Sequence, residues 1–351
     1  MKREHILIIR FSAIGDVAMA VPVVYSLAMT YPDLRITVLS RAYARPFFED
    51  LAPNISFMEA DLKHEYHGIK GLNALYRRLT AKNFTSIADF HSVLRSEYLC
   101  MRFNMGLYHV AHIDKHRAGR RMITAPTPKK QLVQQPTSFE KYADVLARLG
   151  YPVKLQFRSL FPEEGGNLNM LPAIVSVKNR EERWIGIAPF AAHESKIYPL
   201  ELMEQVIHQL ESTHPEARFF FFGRGKREDE LFPEWCRRYP EGMYVGQHLE
   251  NMQQELILMS HLDVMISMDS SNMHLASLTN TPVISIWGAT HPFAGFMGWN
   301  QDPANVIQVS LPCRPCSIYG QKKCLRGDYA CLRQIQPQTI TDRVEAILHH
   351  I

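Results

Sequence analysis

The sequence predicts an α/β protein made of two doubly wound, Rossmann-like domains that face one another. Three observations carry this. Short β-branched apolar runs alternate with helical patterns over the first hundred residues, which is the rhythm of a parallel sheet with crossover helices. The rhythm stops over a weakly patterned stretch near residues 162–182, containing Pro162, Glu163-Glu164-Gly165-Gly166 and Pro172, and then resumes. The length of 351 residues suits about two domains at about 150 residues each. The boundary is accordingly placed at 170/171, giving an N-terminal domain over 1–170, a C-terminal domain over 171–335 and a closing helix over 336–351.

In order along the chain, strands are expected at Ile6–Arg10, Arg35–Ser40, Ile55–Glu59 and Thr85–Phe90 of the first domain. The second should hold Trp184–Ala188, Arg218–Phe222, Asp263–Ser267 and Pro282–Ile286 as strands, with Leu200–Ser212, Lys226–Arg238 and Asn251–Ser260 as helices. An apolar helix should follow the first strand through Leu27. Thr339 with Asp342 three residues on has the form of a capping box and would open the last helix, ending near His349.

Composition narrows the function classes. With 46% hydrophobic and 21% charged residues the chain is neither disordered nor fibrous. Arg10 interrupts the first apolar run after four residues, and no stretch reaches the about 18 apolar residues of a membrane span, so neither a span nor a signal peptide is expected. Six cysteines are too few for a disulfide scaffold, and the expected location is the cytoplasm. The net charge is +4, but residues 1–175 hold 23 Lys and Arg against 15 Asp and Glu, and residues 176–351 hold 16 against 20. Halves of +8 and −4 suggest that the first meets something anionic, a charged substrate or a lipid surface, unless the charges are an uneven solvated scatter.

Ligands of doubly wound sheets bind beyond the carboxyl ends of the strands, so the segments after each strand are the candidates. The first strand runs into Arg10-Phe11-Ser12-Ala13-Ile14-Gly15-Asp16-Val17. Gly15 permits close backbone approach, and Asp16 stands where a carboxylate would be exposed in a cleft, or merely complements the helix dipole. No G-x-G-x-x-G dinucleotide fingerprint is present there. Asp263–Ser267 leads into Met268-Asp269-Ser270-Ser271-Asn272-Met273-His274, and Pro282–Ile286 into Gly288-Ala289-Thr290-His291-Pro292. Small hydroxyl and amide residues opening a helix make a diphosphate seat or a plain N-cap, and His274 alone would be a core histidine. Lys196, on the loop after Trp184–Ala188, is either solvated or set to neutralise a leaving phosphate. Phe219–Phe222 reads as a strand buried on both faces. The turn Gly223-Arg224-Gly225 after it admits a flat base or ribose, with Glu228 or Asp229 accepting from ribose hydroxyls. Cys313, Cys316, Cys324 and Cys331 form C-x2-C-x7-C-x6-C, compatible with a structural zinc site closed by four thiolates, with packing thiols or with a disulfide formed on oxidation.

Together these segments resemble glycosyltransferase family 9, the ADP-heptose:lipopolysaccharide heptosyltransferases, over nearly the whole chain. Arg10–Val17 looks like the family's R/K-x-S-x-x-G-D-V turn. Asp269–Ala276 and Gly288–Pro292 resemble its D-S-G-x-x-H-L-A and G-x-T-x-P segments. The resemblance implies a GT-B fold and an inverting, metal-independent transfer of heptose from ADP-heptose to a lipopolysaccharide-core or related surface-glycan acceptor. By position Asp16 matches the general base and Lys196 the lysine that contacts the departing diphosphate. Asp269, Ser270, Ser271, Asn272 and His274 match the donor loop; Ser12, Gly15 and Glu228 are carried over as further donor contacts. The basic N-terminal half would meet an anionic glycolipid, through Arg95 or through the cluster Lys115, Arg117, Arg120, Arg121, with peripheral contact at the inner face of the cytoplasmic membrane. No cofactor is implied for the chemistry, and no nucleic-acid partner. Ser271-Asn272 depart from the family's glycine followed by an apolar residue or proline. Competing readings are a same-fold transferase using another nucleotide-sugar, a binding protein with a degenerate GT-B site, and a zinc-dependent nucleic-acid binder.

Overall fold

The computed structural model of the chain describes residues 4–175, 178–179 and 181–349; the outermost residues of the predicted first domain and closing helix, 1–3 and 350–351, lie outside them. Two units form. The first comprises residues 4–115 and 136–160, the second 116–135 and 161–349. The division thus falls at 160/161 instead of 170/171, and residues 116–135, expected in the N-terminal domain, belong to the second unit.

The chain opens with β1 (His5–Ile9), every residue of which is buried. Next come α1 (Ile14–Ala18), α2 (Val21–Thr30), β2 (Arg35–Ser40), α3 (Arg45–Phe48) and β3 (Ile55–Glu59). Then follow α4 (Gly68–Thr80), β4 (Ser86–Asp89), α5 (Leu94–Met105), β5 (His109–His112), α6 (Arg117–Ile123) and α7 (Ser138–Arg148). The single helix expected through Leu27 is broken at Met19-Ala20, because Pro22 lacks an N–H and is at home only in a first turn, where it stands in α2. α4 buries Leu72, Leu75 and Leu79, the spacing of one helical face. The first-unit strands are all parallel in the order β3-β2-β1-β4-β5. The order reverses between β1 and β4, and the residues leaving those two strands are Arg10 and Phe90.

The second unit continues with β6 (Arg183–Ala188), α8 (Leu200–Thr213), β7 (Ala217–Phe221), α9 (Lys226–Arg238), β8 (Gly242–Tyr244) and α10 (Val245–His248). It closes with α11 (Met252–Met259), β9 (Val264–Met268), α12 (Ser271–Leu278), β10 (Val283–Ile286), β11 (Val306–Ile307), α13 (Ala330–Arg333) and α14 (Pro337–Leu348). Its parallel sheet runs β11-β10-β9-β6-β7-β8, with the switch point between β6 and β9. Phe219, Phe220, Phe221 and Phe222 are all buried, as a strand covered on both faces requires. The last helix starts at Pro337 and not at Thr339. Gln336 is its N-cap, and the Asp342 carboxylate accepts from Gln338 Nε2 at 2.7 Å, so the expected capping box does not form.

Candidate functional site

In the first unit the site grows from the end of β1. The Arg10 guanidinium is buried. It donates through one nitrogen to the Phe90 carbonyl at 2.6 Å and through the other meets Asp16 Oδ2 at 2.5 Å. One cation therefore ties together the carboxyl ends of β1 and β4 and the first turn of α1. The Asp16 side chain is 28% exposed: held from behind by Arg10, open to solvent in front. The Ala13 amide donates to the same oxygen at 3.4 Å, and Tyr142 Oη holds the Asp16 carbonyl at 3.1 Å. Beside this pair, burial and the nearby Arg10 charge push His91 down to about 4, so its ring is neutral at pH 7 and its Nδ1 accepts from the Phe11 amide at 3.4 Å. Burial pushes Tyr43 up to about 12, and its hydroxyl caps the Phe11 carbonyl at 3.1 Å. Ser12 and Gly15 lie half-buried on this same turn.

Asp89 ends β4 and shapes the loop leading into α5, whose first turn carries Arg95. Its Oδ1 accepts from the His91 and Ser92 amides, both at 2.9 Å, and its Oδ2 from Ser96 Oγ at 3.0 Å and His112 Nδ1 at 3.2 Å. Burial pushes the Asp89 carboxyl up, but these donors outweigh it and its pKa falls. Burial drives the neighbouring Cys100 thiol well above its ordinary range. Asp89, Cys100 and His112 bring one potential ligand atom each within 4.8 Å of the others. In the structure the Asp89 carboxylate accepts from four donors, His112 among them, and the trio belongs to that hydrogen-bonded cluster. Arg95 itself is exposed.

In the second unit the counterpart lies past β6, β9 and β10. Lys196 Nζ meets Asp269 Oδ2 at 3.0 Å with both side chains nearly buried, and Thr290 Oγ1 donates to the same oxygen at 2.8 Å. Three strand ends are thus joined through one carboxylate. Ser270 is the N-cap of α12, yet it makes no side-chain cap hydrogen bond; its hydroxyl lies 3.3 Å from Ser267 Oγ. The plain N-cap expected as the alternative is therefore not formed. Ser271 and Asn272 occupy the first turn half-buried, and His274 is buried.

After β7, Gly223 and Gly225 adopt φ of +148° and +146°, values that favour glycine. The Glu228 carboxylate folds over them: a Cβ at Gly223 would lie 3.0 Å from its Oε1 and one at Gly225 3.1 Å from its Oε2. Asp229 accepts from Tyr244 Oη at 2.7 Å, which leaves Glu228 as the acidic group facing the turn. Two expectations change here. Arg117, Arg120 and Arg121 lie on α6, in the second unit, apart from Arg95; Arg120 packs 5.5 Å from the rings of both Phe296 and Tyr319 and donates to Tyr319 Oη, whereas Arg117 and Arg121 are exposed. The four cysteines Cys313, Cys316, Cys324 and Cys331 hold free thiols. Burial raises Cys316 and takes Cys331 up to about 11. Among the described residues no three of these sulfurs lie within 4.8 Å of one another, whereas ligands about 2.3 Å from a shared zinc would be closer. The closed zinc site is not assembled. Their loop is pinned instead by Arg314, which donates to the Gly288, Trp287 and Thr290 carbonyls at 2.5–3.0 Å.

The sequence reading gave no role to Arg10 or Thr290. Each is the partner that holds a residue it did single out.

The profile of glycosyltransferase family 9 (heptosyltransferase) matches residues 72–325. The chain belongs to glycosyltransferase family 9. Among curated members, lipopolysaccharide core heptosyltransferase OpsX of Haemophilus influenzae is 22% identical over 316 residues, 87% of this chain and 84% of that protein. Lipooligosaccharide heptosyltransferase 2 of Campylobacter jejuni is 24% identical over 167 residues, 46% of this chain; the match spans about half the length of that relative (51%). The solved structure of E. coli ADP-heptose lps heptosyltransferase II is similar with a TM-score of 0.69 at 18% identity, covering 99% of each chain. At that identity the likeness shows the fold, which is the GT-B fold of this family. Among the described residues no helix is long and apolar enough to cross a membrane.

Proposed function

We propose that this family 9 glycosyltransferase moves heptose from ADP-heptose to a lipopolysaccharide-core or related surface-glycan acceptor, inverting the anomeric centre, with no metal in the chemistry. The observation that carries the reading is the Asp16 carboxylate, open on one side and fixed on the other by Arg10. Such a group can take a proton from an acceptor hydroxyl without a change of rotamer. The names of the relatives support the sugar, and the name of the E. coli enzyme supports the nucleotide.

The steps balance as follows. Asp16 takes the acceptor's hydroxyl proton as that oxygen bonds to the anomeric carbon from the face opposite the nucleotide. The bond from that carbon to the diphosphate oxygen breaks, and its electron pair leaves on ADP. Lys196 and the uncapped amides of α12 offset the charge that develops there. Before the donor binds, the Lys196 charge is held by Asp269, so an arriving diphosphate competes with that carboxylate. Asp269, Ser270, Ser271, Asn272 and His274 border the donor, Ser12, Gly15 and Glu228 add contacts, and Arg95, Arg117 and Arg121 are the exposed cations available to an anionic acceptor on the cytoplasmic side.

Titrating the protein with ADP, UDP and GDP tests the donor assignment. Selective ADP binding followed by transfer from ADP-heptose is the expected result. Preference for UDP or GDP keeps the fold and changes the donor, and binding of none favours a degenerate site. Asp16→Asn should lower turnover by about 100-fold or more with nucleotide affinity kept; equal loss of both would remove Asp16 as base.

A further inference from the structure

Lys196 is held along its length by a segment far ahead in the chain. A lysine carries its charge on a flexible four-carbon stem and ordinarily samples many positions. Here Nζ meets Asp269 Oδ2 at 3.0 Å with only 13% of the side chain exposed. The wall beside the stem is Gly320, which is buried. A Cβ built on it would stand 2.5 Å from Lys196 Cδ and 2.6 Å from Cγ, so any larger residue must push the stem aside. Those are middle atoms of a side chain fixed at its far end, and they have little room to give.

A closed ring of hydrogen bonds keeps the glycine in place. Ser195 Oγ donates to the Gly320 carbonyl at 2.6 Å and the Gly320 amide to Ser317 Oγ at 2.9 Å. The Ser317 amide donates to the Ala289 carbonyl at 3.2 Å, and the Ala289 amide to the Ser195 carbonyl at 3.0 Å. Both serines are buried. The same segment steadies the other end of the lysine: Arg314 donates to the Thr290 carbonyl at 2.9 Å, and Thr290 Oγ1 holds the Asp269 oxygen that Nζ meets. We propose that Gly320 is a positioning residue for Lys196: its missing side chain and the ring through Ser195 fix the stem, so that Nζ waits where a diphosphate oxygen can displace the Asp269 carboxylate. An amine placed beforehand loses little freedom when the anion arrives. The displacement by diphosphate rests on the heptose-transfer reading; the hold on the stem does not.

The test sets Gly320→Ala beside Gly327→Ala in the full chain. Both glycines have positive φ, +85° and +78°, but a Cβ at Gly327 meets nothing within 4 Å, so the second variant carries the backbone strain without the contact. Acylation by an amine-reactive ester, followed by peptide mass spectrometry, reads how firmly Nζ is held. Relative to Lys226, whose side chain is 90% exposed, Lys196 should label slowly in the wild type and in Gly327→Ala, and about tenfold faster in Gly320→Ala. Ser195→Ala, which opens the ring without adding bulk, should also speed labelling, and it decides the matter if Gly320→Ala fails to fold. Titration with ADP is the second readout. Gly320→Ala should weaken affinity about tenfold, and adding it to Lys196→Ala should cause no further loss, because stem and wall act as one. Labelling of Lys196 unchanged in both Gly320→Ala and Ser195→Ala, equal effects of the two glycine variants, or additive losses of ADP affinity in the double variant overturns the proposal. If Lys196→Ala alone binds ADP as the wild type does, the diphosphate role of Lys196 falls, and the labelling by itself decides the positioning.

Discussion

Asp269 has its charge engaged twice, by Lys196 at 3.0 Å and by Thr290 at 2.8 Å. Because the pair is nearly out of water, removing one partner strands the other's charge. Asp269→Ala should therefore cost about 3–5 kcal/mol of stability in urea unfolding. A loss under about 1 kcal/mol would mean that the pair behaves as a solvated one. Protonation gives a second expectation at this scale. Burial pushes His91 and His291 down to about 4 and lowers His5. Between pH about 6.5, the ordinary histidine value, and pH about 4, the His91 and His291 rings bind protons when unfolded but not when folded, and the lowered His5 acts in the same direction. Stability must then fall as the pH is lowered through that window. His91→Gln should flatten the decline; a thermal midpoint that stays level from pH 6.5 to 4.5 in the wild type contradicts the assignment. Asp16, Lys196 and Asp269 were singled out because each lies in the segment that follows an apolar run read as a strand, Asp269 directly after β9 and the other two on the turns past β1 and β6. Arg10's hold on Phe90 and Thr290's on Asp269 were not, since both depend on which strands lie side by side.

At the scale of elements, most strands were legible to within a residue because buried parallel strands are written as unbroken β-branched and aromatic runs. Short polar strands escaped: His109–His112 of β5 shows no such run. The capping signal was sought in the wrong place. Thr137 and Glu140 form a true reciprocal box at the start of α7, with Thr137 N donating to Glu140 Oε2 at 2.6 Å and Glu140 N to Thr137 Oγ1 at 3.1 Å, whereas Pro337 decides where α14 begins. The turn after β7 offers a test. Gly223→Ala would need a φ that L-residues avoid and would press Cβ to 2.8 Å from Glu228 Cγ. It should cost about 1–3 kcal/mol and displace Glu228, so that nucleotide affinity falls with stability. Unchanged affinity would remove Glu228 from the donor contacts.

At the scale of the molecule, two parallel sheets with central switch points were legible from alternation alone, yet the assignment of chain to unit was not. Residues 116–135 are cationic, with Arg117, Arg120, Arg121, Lys129 and Lys130 and no acid, but that composition does not say which unit they join; their allegiance lies in contacts with residues far ahead. Arg120 lies between Phe296 and Tyr319, Lys130 Nζ donates to the Cys313 and Pro315 carbonyls at 2.7 Å each, and the Gln135 amide donates to the Phe293 carbonyl at 2.8 Å. A fragment of residues 161–351 should therefore melt at lower temperature than the same unit in the whole chain, and adding a peptide of residues 116–135 should raise its midpoint. An unshifted midpoint would show that the excursion only decorates the unit.

That excursion also imposes a timetable on the ribosome. Arg120 and Tyr319 are separated by 199 residues, about 10–40 s of synthesis at about 5–20 residues per second. Throughout that interval the five strands of the first sheet are complete and free to fold, but a cationic segment emerging between two parts of their own unit has nothing yet to bind. The nascent protein must hold this loop in solvent until its last third appears, and it is there that a chaperone or protease would meet it.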